Sequence, residues 1–347
     1  MTLYPFLSSG GYLGLGLSYG LFHIQPAYYF GDFSKDVPYF WSKWVKFDFY
    51  GLYINWSNEL INLHLGRFIP LDTGSLLINS YSKGLDGLKL HYALDDKVKL
   101  IYGLFSGKNW ISDSMYYFNP ANKEIHPGDV VSRYILLKGL EYKNIAFYEL
   151  VVWSSLGSFP DMAILNPLFP GYLYQWLKGR EVNVIWLLEN RVKNLRVQLL
   201  IDDIQYLPSW WDTVPHKFAL RVSFNGRLFG DFLWVPAFVY ANRKVWDALY
   251  ESFIYGSDYA HANLGINYGI FTFGVGAFGR GRYNGVYREP NIGEYPKFSF
   301  LHDTVKVGYW FEGGIRLGRF TLTAGYGDKP NSIRIKRFFV WFYLPTL

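Results

Sequence analysis

The sequence predicts an all-β fold, a transmembrane antiparallel up-and-down β-barrel of about 18 strands. Three observations predict it: alternation of apolar and polar residues, an unusual composition, and connections that alternate between short and long. Only 18% of the 347 residues are charged and 21% are aromatic, whereas a soluble domain is about 25% charged. The net charge is +6 and the mean hydropathy is +0.01, so neither a helical membrane protein nor a disordered chain is indicated.

The longest uninterrupted apolar run, residues 338–344, has seven residues, whereas a membrane-spanning helix needs about 20. The absence of cysteine excludes disulfides and thiolate metal sites. The first residues, Met1 to Pro5, have neither a basic segment nor an apolar core. We therefore expect that a signal peptide has been removed.

Alternation with a period of two is the main evidence for strands. In residues 195–202, 217–224 and 261–268, every second residue is apolar, and most of the residues between are glycine, polar or charged. Such a period places the two sets on opposite faces of a strand. The segments are about ten residues long, as tilted membrane-spanning strands are, and aromatic residues crowd their ends. This pattern predicts an apolar outer band, aromatic girdles and a polar lumen.

The predicted connections alternate in length along the chain. The short ones lie near Gly20, 57–59, 95–96, 142–143, 191–193, 225–226, Gly269 and 317–318. The long ones lie near 31–43, 70–84, 107–132, 155–180, 207–215, 243–260, 284–303 and 327–332. An outer-membrane barrel has short periplasmic turns and long extracellular loops, so both termini are expected on the periplasmic side.

Counting from residues 12–19 gives 17 strands, and bacterial barrels prefer even numbers. The count becomes 18 if residues 3–8 form a further strand, and 16 if residues 11–30 form one long strand. Pro5 argues against the first option, but we prefer 18. No shift in composition marks a linker, so residues 1–347 are expected to form a single domain.

Several apparent motifs do not support catalysis. Residues 274–279 read G-x-G-x-x-G, but they lie inside an alternating strand rather than between a strand and a helix. Asp202 and Asp203 are neighbours on a strand, so they cannot flank one glycosidic bond. The seven histidines are scattered, and the basic residues form no compact nucleic-acid motif. We expect no enzyme activity, cofactor, metal or nucleic-acid partner.

A family resemblance adds to this interpretation. The resemblance lies in residues 61–67, a strand that ends in Gly-Arg, and in residues 74–77 and 85–88. These segments resemble the capsule-assembly Wzi family of outer-membrane proteins. Further similarities lie at 148–149, 165–167, 199–204, 215–217 and 240–267. The resemblance implies an outer-membrane barrel, commonly of 18 strands, that helps hold capsular or surface polysaccharide at the cell surface.

Combining the inward arginines, the loop tryptophans and the resemblance gives a set of candidate ligand-binding residues at the lumen or its rim. They are Arg67, Glu149, Arg196, Asp202, Trp210, Trp211, Arg221, Arg280 and Arg282. Residues 160–180, which contain three prolines, are a candidate for an inward-folded constriction.

The function predicted first is non-enzymatic association with capsular or surface polysaccharide. The expected location is the outer membrane of a diderm bacterium, as a multi-pass barrel in contact with lipid, lipopolysaccharide and an acidic polysaccharide. A general diffusion porin is the alternative, because the sequence begins almost directly with strands and lacks the helical plug of better-known family members. An outer-membrane enzyme comes third.

Overall fold

The structure is a computed structural model. It describes residues 2–7, 12–30, 45–68, 70–71, 75–77, 85–107, 110–111, 116–118, 123–125, 130–156, 162–178, 182–203, 217–237, 239, 257–284, 300–303, 306–317, 320–328, 333–335 and 338–343.

Twenty-two strands and two short helices make up the described part of the chain. The strands before the helices are β1 (Thr2–Leu7), β2 (Tyr12–Tyr19), β3 (Phe22–Phe30), β4 (Val45–Ser57), β5 (Ile61–Phe68), β6 (Leu85–Ala93), β7 (Val98–Ser106), β8 (Trp110–Ile111), β9 (Tyr116–Phe118), β10 (Lys123–Ile125), β11 (Val130–Tyr142) and β12 (Ile145–Leu156). The helices are α1 (Met162–Leu165) and α2 (Gly171–Lys178). The strands after them are β13 (Val182–Val192), β14 (Leu195–Asp203), β15 (Lys217–Phe224), β16 (Leu228–Val235), β17 (Tyr259–Tyr268), β18 (Phe271–Arg280), β19 (Lys306–Leu317), β20 (Phe320–Gly327), β21 (Ile333–Ile335) and β22 (Phe338–Tyr343).

The fold is an all-β, antiparallel up-and-down barrel. Among the described residues, 20 strands belong to one sheet, and only β9 and β10 form a separate ribbon. Leaving out the two- and three-residue strands β8 and β21, 18 strands of the sheet remain, each pairing antiparallel with the next in the chain. An even number puts β1 and β22 in antiparallel directions, as closure of such a barrel requires.

The predicted elements are largely confirmed. The expected N-terminal strand is present as β1, which pairs with β2 from Thr2↔Ser18 to Leu7↔Leu13. A turn at Gly20 and Leu21 separates β2 from β3, so the alternative of one strand over 11–30 is wrong. Within the described residues, the predicted short connections fall at tight turns between paired strands, for example Asn225–Arg227 between β15 and β16, whereas Gly318 lies outside the described residues. The G-x-G-x-x-G run lies within β18, as predicted.

One face of the sheet, which we call the outward face, exposes large apolar side chains. On β18 and β19, the exposed residues include Phe273, Val275 and Phe311, and they alternate with buried or half-buried residues such as Thr272. On the strand residues whose side chains are described, this face carries charge only as two ion pairs, Arg67–Asp86 and Lys138–Glu149. The alternation predicted for these strands is confirmed.

The opposite, inward face is not polar throughout. On β11 to β14, it carries aliphatic residues that are fully buried, among them Leu137, Leu150 and Ile185. Leu76 and Leu77, from the connection between β5 and β6, pack into the same cluster. The expectation of a polar lumen is therefore wrong along these strands, because this connection contributes apolar residues that pack with the inward wall.

The expectation that residues 160–180 fold inward is also wrong. Ile164 and Tyr174, on α1 and α2, pack against Leu136, Val151 and Val184, which all lie on the outward face. Among the described helices, none is long and apolar enough to cross a membrane.

Candidate ligand-binding lumen

The short turns define the inner end of the barrel, and the long connections define its outer end. Near the inner end of the inward face, β13 and β14 hold a cluster around the Glu189 carboxylate, which is 1% exposed. Arg196 donates to Glu189 Oε2 from Nε at 2.9 Å and from Nη2 at 2.7 Å. Arg191 and Gln198 donate to the same carboxylate. Two guanidinium groups therefore share one carboxylate, which leaves the cluster positively charged.

A second cluster lies at mid-height on the next strands. Arg221 and Asp231 form a bidentate pair, with both N–H···O distances at 2.8 Å. The Nε2 atom of His261 lies 3.1 Å from Asp231 Oδ2. Bidentate pairing holds the guanidinium in a fixed orientation.

The outer end of the same wall carries two cations over aromatic rings. Arg280 and Lys306 lie opposite each other on β18 and β19. The guanidinium carbon of Arg280 is 5.4 Å from the Phe278 ring centroid and 5.9 Å from that of Tyr259, and Lys306 Nζ is 5.9 Å from Phe278. The Arg280 Nε atom is buried without a hydrogen-bond partner in the described part of the chain.

Cations outnumber carboxylates on the inward face of the strands whose side chains are described. The inward cations are Lys89, Lys99, Arg133, Arg191, Arg196, Lys217, Arg221, Arg280, Lys306 and Arg316. The inward carboxylates are Glu141, Glu189, Asp202, Asp231 and Glu312. From β13 to β19, the cations run from the outer end (Arg280) through mid-height (Arg221) to the inner end (Arg191). At the two ends of this wall, the exposed Arg191 and Lys306 can donate charge-assisted hydrogen bonds to an anion, whereas Arg221 at mid-height is held by Asp231.

The strands β3 to β6 carry a different inward surface, made of rings and amides. His23 stacks on Tyr53 at 4.8 Å between ring centroids, and His64 lies 5.8 Å from Tyr53 and 6.3 Å from His91. These histidines are scattered along the sequence, and the pairing of β3 to β6 brings them together. Among the described residues, no group of His, Asp and Glu could hold a metal ion.

Four of the predicted site residues lie on the inward face, and Arg282 lies beyond it at the rim. Arg196, Arg221 and Arg280 occupy the positions described above, and the buried Asp202 accepts from Asn183 Nδ2 at 3.2 Å. Arg282 follows β18 at the outer rim, where it is exposed and lies 3.6 Å from the Asp303 carboxylate.

Two predicted site residues lie on the outward face, so a lumen position for them is wrong. Arg67 forms a bidentate pair with Asp86, with both distances at 2.7 Å, at the outer ends of β5 and β6. Glu149 lies beneath α2. Both follow the outward alternation of their strands, which short motif matches do not reveal. Trp210 and Trp211 lie outside the described residues.

Three further inward residues, Glu189, Asp231 and Lys217, were not predicted from the sequence. The signal was present, since each residue occupies an inward position of an alternating strand. Finding it requires the register between neighbouring strands, for example Glu189↔Gln198 and Ser223↔Asp231.

Comparison with known proteins gives solved structures only. No family model matches the sequence, and no curated protein matches it. Wzi of Escherichia coli, described as a carbohydrate-binding β-barrel involved in group 1 capsule assembly, is similar with a TM-score of 0.49 and 11% identity over 95% of this chain and 76% of that one. OccD3 (OpdP) of Pseudomonas aeruginosa is similar with a TM-score of 0.37 and 12% identity over 95% and 83% of the two chains. Similarity at this level carries no argument about function, and the fold described above rests on the strand pairing.

Proposed function

We propose that this protein is an outer-membrane β-barrel of a diderm bacterium that holds an acidic surface polysaccharide in its lumen without catalysing a reaction. The observation that carries the proposal is the excess of cations on the inward face, from Arg280 at the outer end to Arg191 at the inner end. The resemblance of the sequence to the capsule-assembly Wzi family points to the same class of ligand.

The membrane location is supported by the outward face. Leu264, Phe273 and Phe311 are each more than half exposed, and contiguous exposed apolar surface of this kind is rare in soluble proteins. Unpaired Arg or Lys in the middle of such a band is destabilising by about 2–4 kcal/mol. On the strand residues whose side chains are described, the outward face carries only paired charges, as this penalty predicts.

The chemistry of the inward face supports an acidic polymer. Guanidinium groups bind carboxylates in a planar, bidentate manner, and Arg191 is 44% exposed at its side chain. Exposed ion pairs are weak individually, at about 0.2–1 kcal/mol. Repetition along a polymer compensates for this, because linked contacts raise the overall affinity.

A general diffusion porin is the second candidate, and the charged inward clusters favour it, since porin lumens are polar and water-filled. The fully buried aliphatic wall of β11 to β14, with Leu76 and Leu77 packed against it, favours the polysaccharide-holding function instead. Such an apolar inner wall offers no path for water along these strands.

Binding of a defined polyanion tests the proposal. Detergent-solubilised protein is titrated with polygalacturonate, with neutral dextran as the control polymer. We expect binding of polygalacturonate only, and weaker binding as salt rises from low to physiological concentration, because salt screens the ion pairs.

Two variants locate the binding surface. Arg191→Gln and Arg280→Gln are each expected to weaken binding about two- to fivefold, which corresponds to about 0.5–1 kcal/mol for one exposed ion pair. Arg227→Gln, in the exposed turn between β15 and β16, is the matched control and should leave the affinity unchanged. Equal binding by all variants, or equal binding of dextran, would overturn the proposal.

A further inference from the structure

Residues 162–174, which we call the outer strap, lie on the outside of the barrel wall. The strap consists of α1, the connection 166–170 and the first residues of α2. Ile164 and Tyr174 are almost fully buried against the outward face. The strap therefore forms a second layer over β7 and β11 to β13.

Polar side chains of the outward wall meet the backbone of the strap. The Tyr102 hydroxyl donates to the Leu165 carbonyl at 2.5 Å, and Lys138 Nζ donates to the Phe169 carbonyl at 2.5 Å. Both oxygens of Glu149 accept from the Gly171 N–H, at 3.0 and 2.9 Å, so this carboxylate lies at the N-terminus of α2. A negative charge is favourable there, because the helix dipole is positive at that end.

The strap satisfies its own backbone between these anchors. Asn166 N donates to the Ala163 carbonyl, and Phe169 N to the Asn166 carbonyl. Leu168 N donates to Asn166 Oδ1 at 2.9 Å, while positions 167 and 170 are prolines and have no N–H. Every backbone N–H from Asn166 to Gly171 therefore has a partner within the protein.

Pairing of the N–H groups in this connection suits a hydrocarbon environment, because lipid tails cannot hydrogen-bond. The depth of the anchoring residues Lys138 and Glu149 also agrees with a position in the bilayer. Lys138 and Glu149 lie opposite each other, roughly 10 Å above the inner end of their strands at the usual strand rise and tilt. This is well within an apolar band about 25 Å tall.

The surface that the strap presents outward is uncharged and mainly apolar, and Asn166 is its one exposed polar side chain in the connection 166–170. Leu168 is 87% exposed and Leu173 is 42% exposed, and residues 162–174 contain no charged residue. The polar side chains of this part of the wall therefore point toward the strap, and the leucines of the strap point away from the wall.

We infer that the outer strap is embedded in the bilayer and that Leu168 and Leu173 contact the acyl chains of the lipids. The inference rests on the membrane location in the proposed function, but not on polysaccharide binding. It explains why an ion pair is tolerated on the outward face: the strap shields Lys138 and Glu149 from lipid and uses both to fix its own backbone.

Quenching of a single fluorescent label tests the contact. The chain has no cysteine, so Leu168→Cys and, independently, Leu173→Cys can each be labelled with bimane and reconstituted into phosphatidylcholine vesicles. For each labelled variant, one vesicle preparation contains lipid brominated on the acyl chains and a second preparation contains unbrominated lipid. Val275→Cys, exposed in the middle of β18, is the lipid-facing control. Lys193→Cys, in the turn between β13 and β14, is the aqueous control.

We expect brominated lipid to quench the label at 168 and 173 to within about twofold of the label at 275, and aqueous iodide to quench only the label at 193. Quenching by iodide at 168 and 173 would place the strap in water and overturn the inference. Protection from both quenchers would mean that protein, such as a second copy, covers the strap, and would also overturn it. Failure of the control at 275 to respond to brominated lipid would instead contradict the membrane location in the proposed function.

Discussion

Glu149 and Glu189 show how the role of a residue depends on its face. They lie on adjacent, paired strands, and both carboxylates are buried. Glu149 points outward to the outer strap and Lys138, whereas Glu189 points inward to Arg191 and Arg196. A short motif in the sequence predicted Glu149 as a ligand-binding residue, whereas Glu189 was not predicted. Only the strand alternation, combined with the neighbouring register, separates a structural anchor from a lumen residue.

The first prediction concerns Glu149. Replacing it with Gln removes one partner of a buried pair and leaves the Lys138 ammonium facing a neutral group. Removal of one partner from a buried ion pair is typically destabilising by about 3–5 kcal/mol. We expect Glu149→Gln to lower the free energy of unfolding by that amount in urea titrations of lipid-reconstituted protein.

The matched control is Glu59→Gln, in the exposed turn between β4 and β5. Exposed substitutions away from special features change stability by about 0.5 kcal/mol or less. If the two variants unfolded at the same urea concentration, the Lys138–Glu149 pair would not anchor the strap.

At the scale of elements, strands were predictable and connections were not. The strands from β13 to β19 follow their period-two pattern closely, because an apolar outward face and a packed or polar inward face fix the register. The connection 69–84 places Leu76 and Leu77 in the inner cluster, whereas 157–181 places Ile164 and Tyr174 on the outside. Both connections contain apolar residues, and nothing local distinguishes the wall face on which each will pack.

The second prediction tests the outward face of β18. Val275 lies in the middle of this strand and is exposed. Val275→Arg should reduce the free energy of unfolding in lipid by about 2–4 kcal/mol, whereas Val275→Leu, which keeps the position apolar, should change it by about 0.5 kcal/mol or less. Similar stabilities for the two variants in urea titrations would show that Val275 does not face hydrocarbon.

At the scale of the whole molecule, the alternation of short and long connections predicts the topology in the proposed outer-membrane location. With 18 alternating strands in the described sheet, both ends of the chain fall on the side of the short turns. In the outer-membrane location that we propose, the side of the long connections faces the cell exterior. This much followed from the sequence, because loop lengths are visible without a structure. The distribution of charge around the lumen could not be predicted from the sequence, because it depends on which strands pair.

The third prediction follows from this topology. Protease added to intact cells should cut within 107–132 or 243–260, two of the long connections. The turns at Asn225–Gly226 and Leu317–Gly318 should stay intact, because they lie on the periplasmic side. Mass spectrometry of the fragments identifies the sites. Cleavage at those turns with the long connections uncut would show that the orientation is reversed.

The central claim is that the barrel holds an acidic polysaccharide rather than conducting small solutes. Current through single proteins in a planar bilayer tests it most directly, with and without polygalacturonate on the outer side. The apolar inner wall of β11 to β14 and the inward packing of Leu76 and Leu77 predict the absence of steady, large openings, and any brief openings should become rarer when polygalacturonate is added. Steady, large openings that polygalacturonate leaves unchanged would contradict the account and favour a diffusion porin.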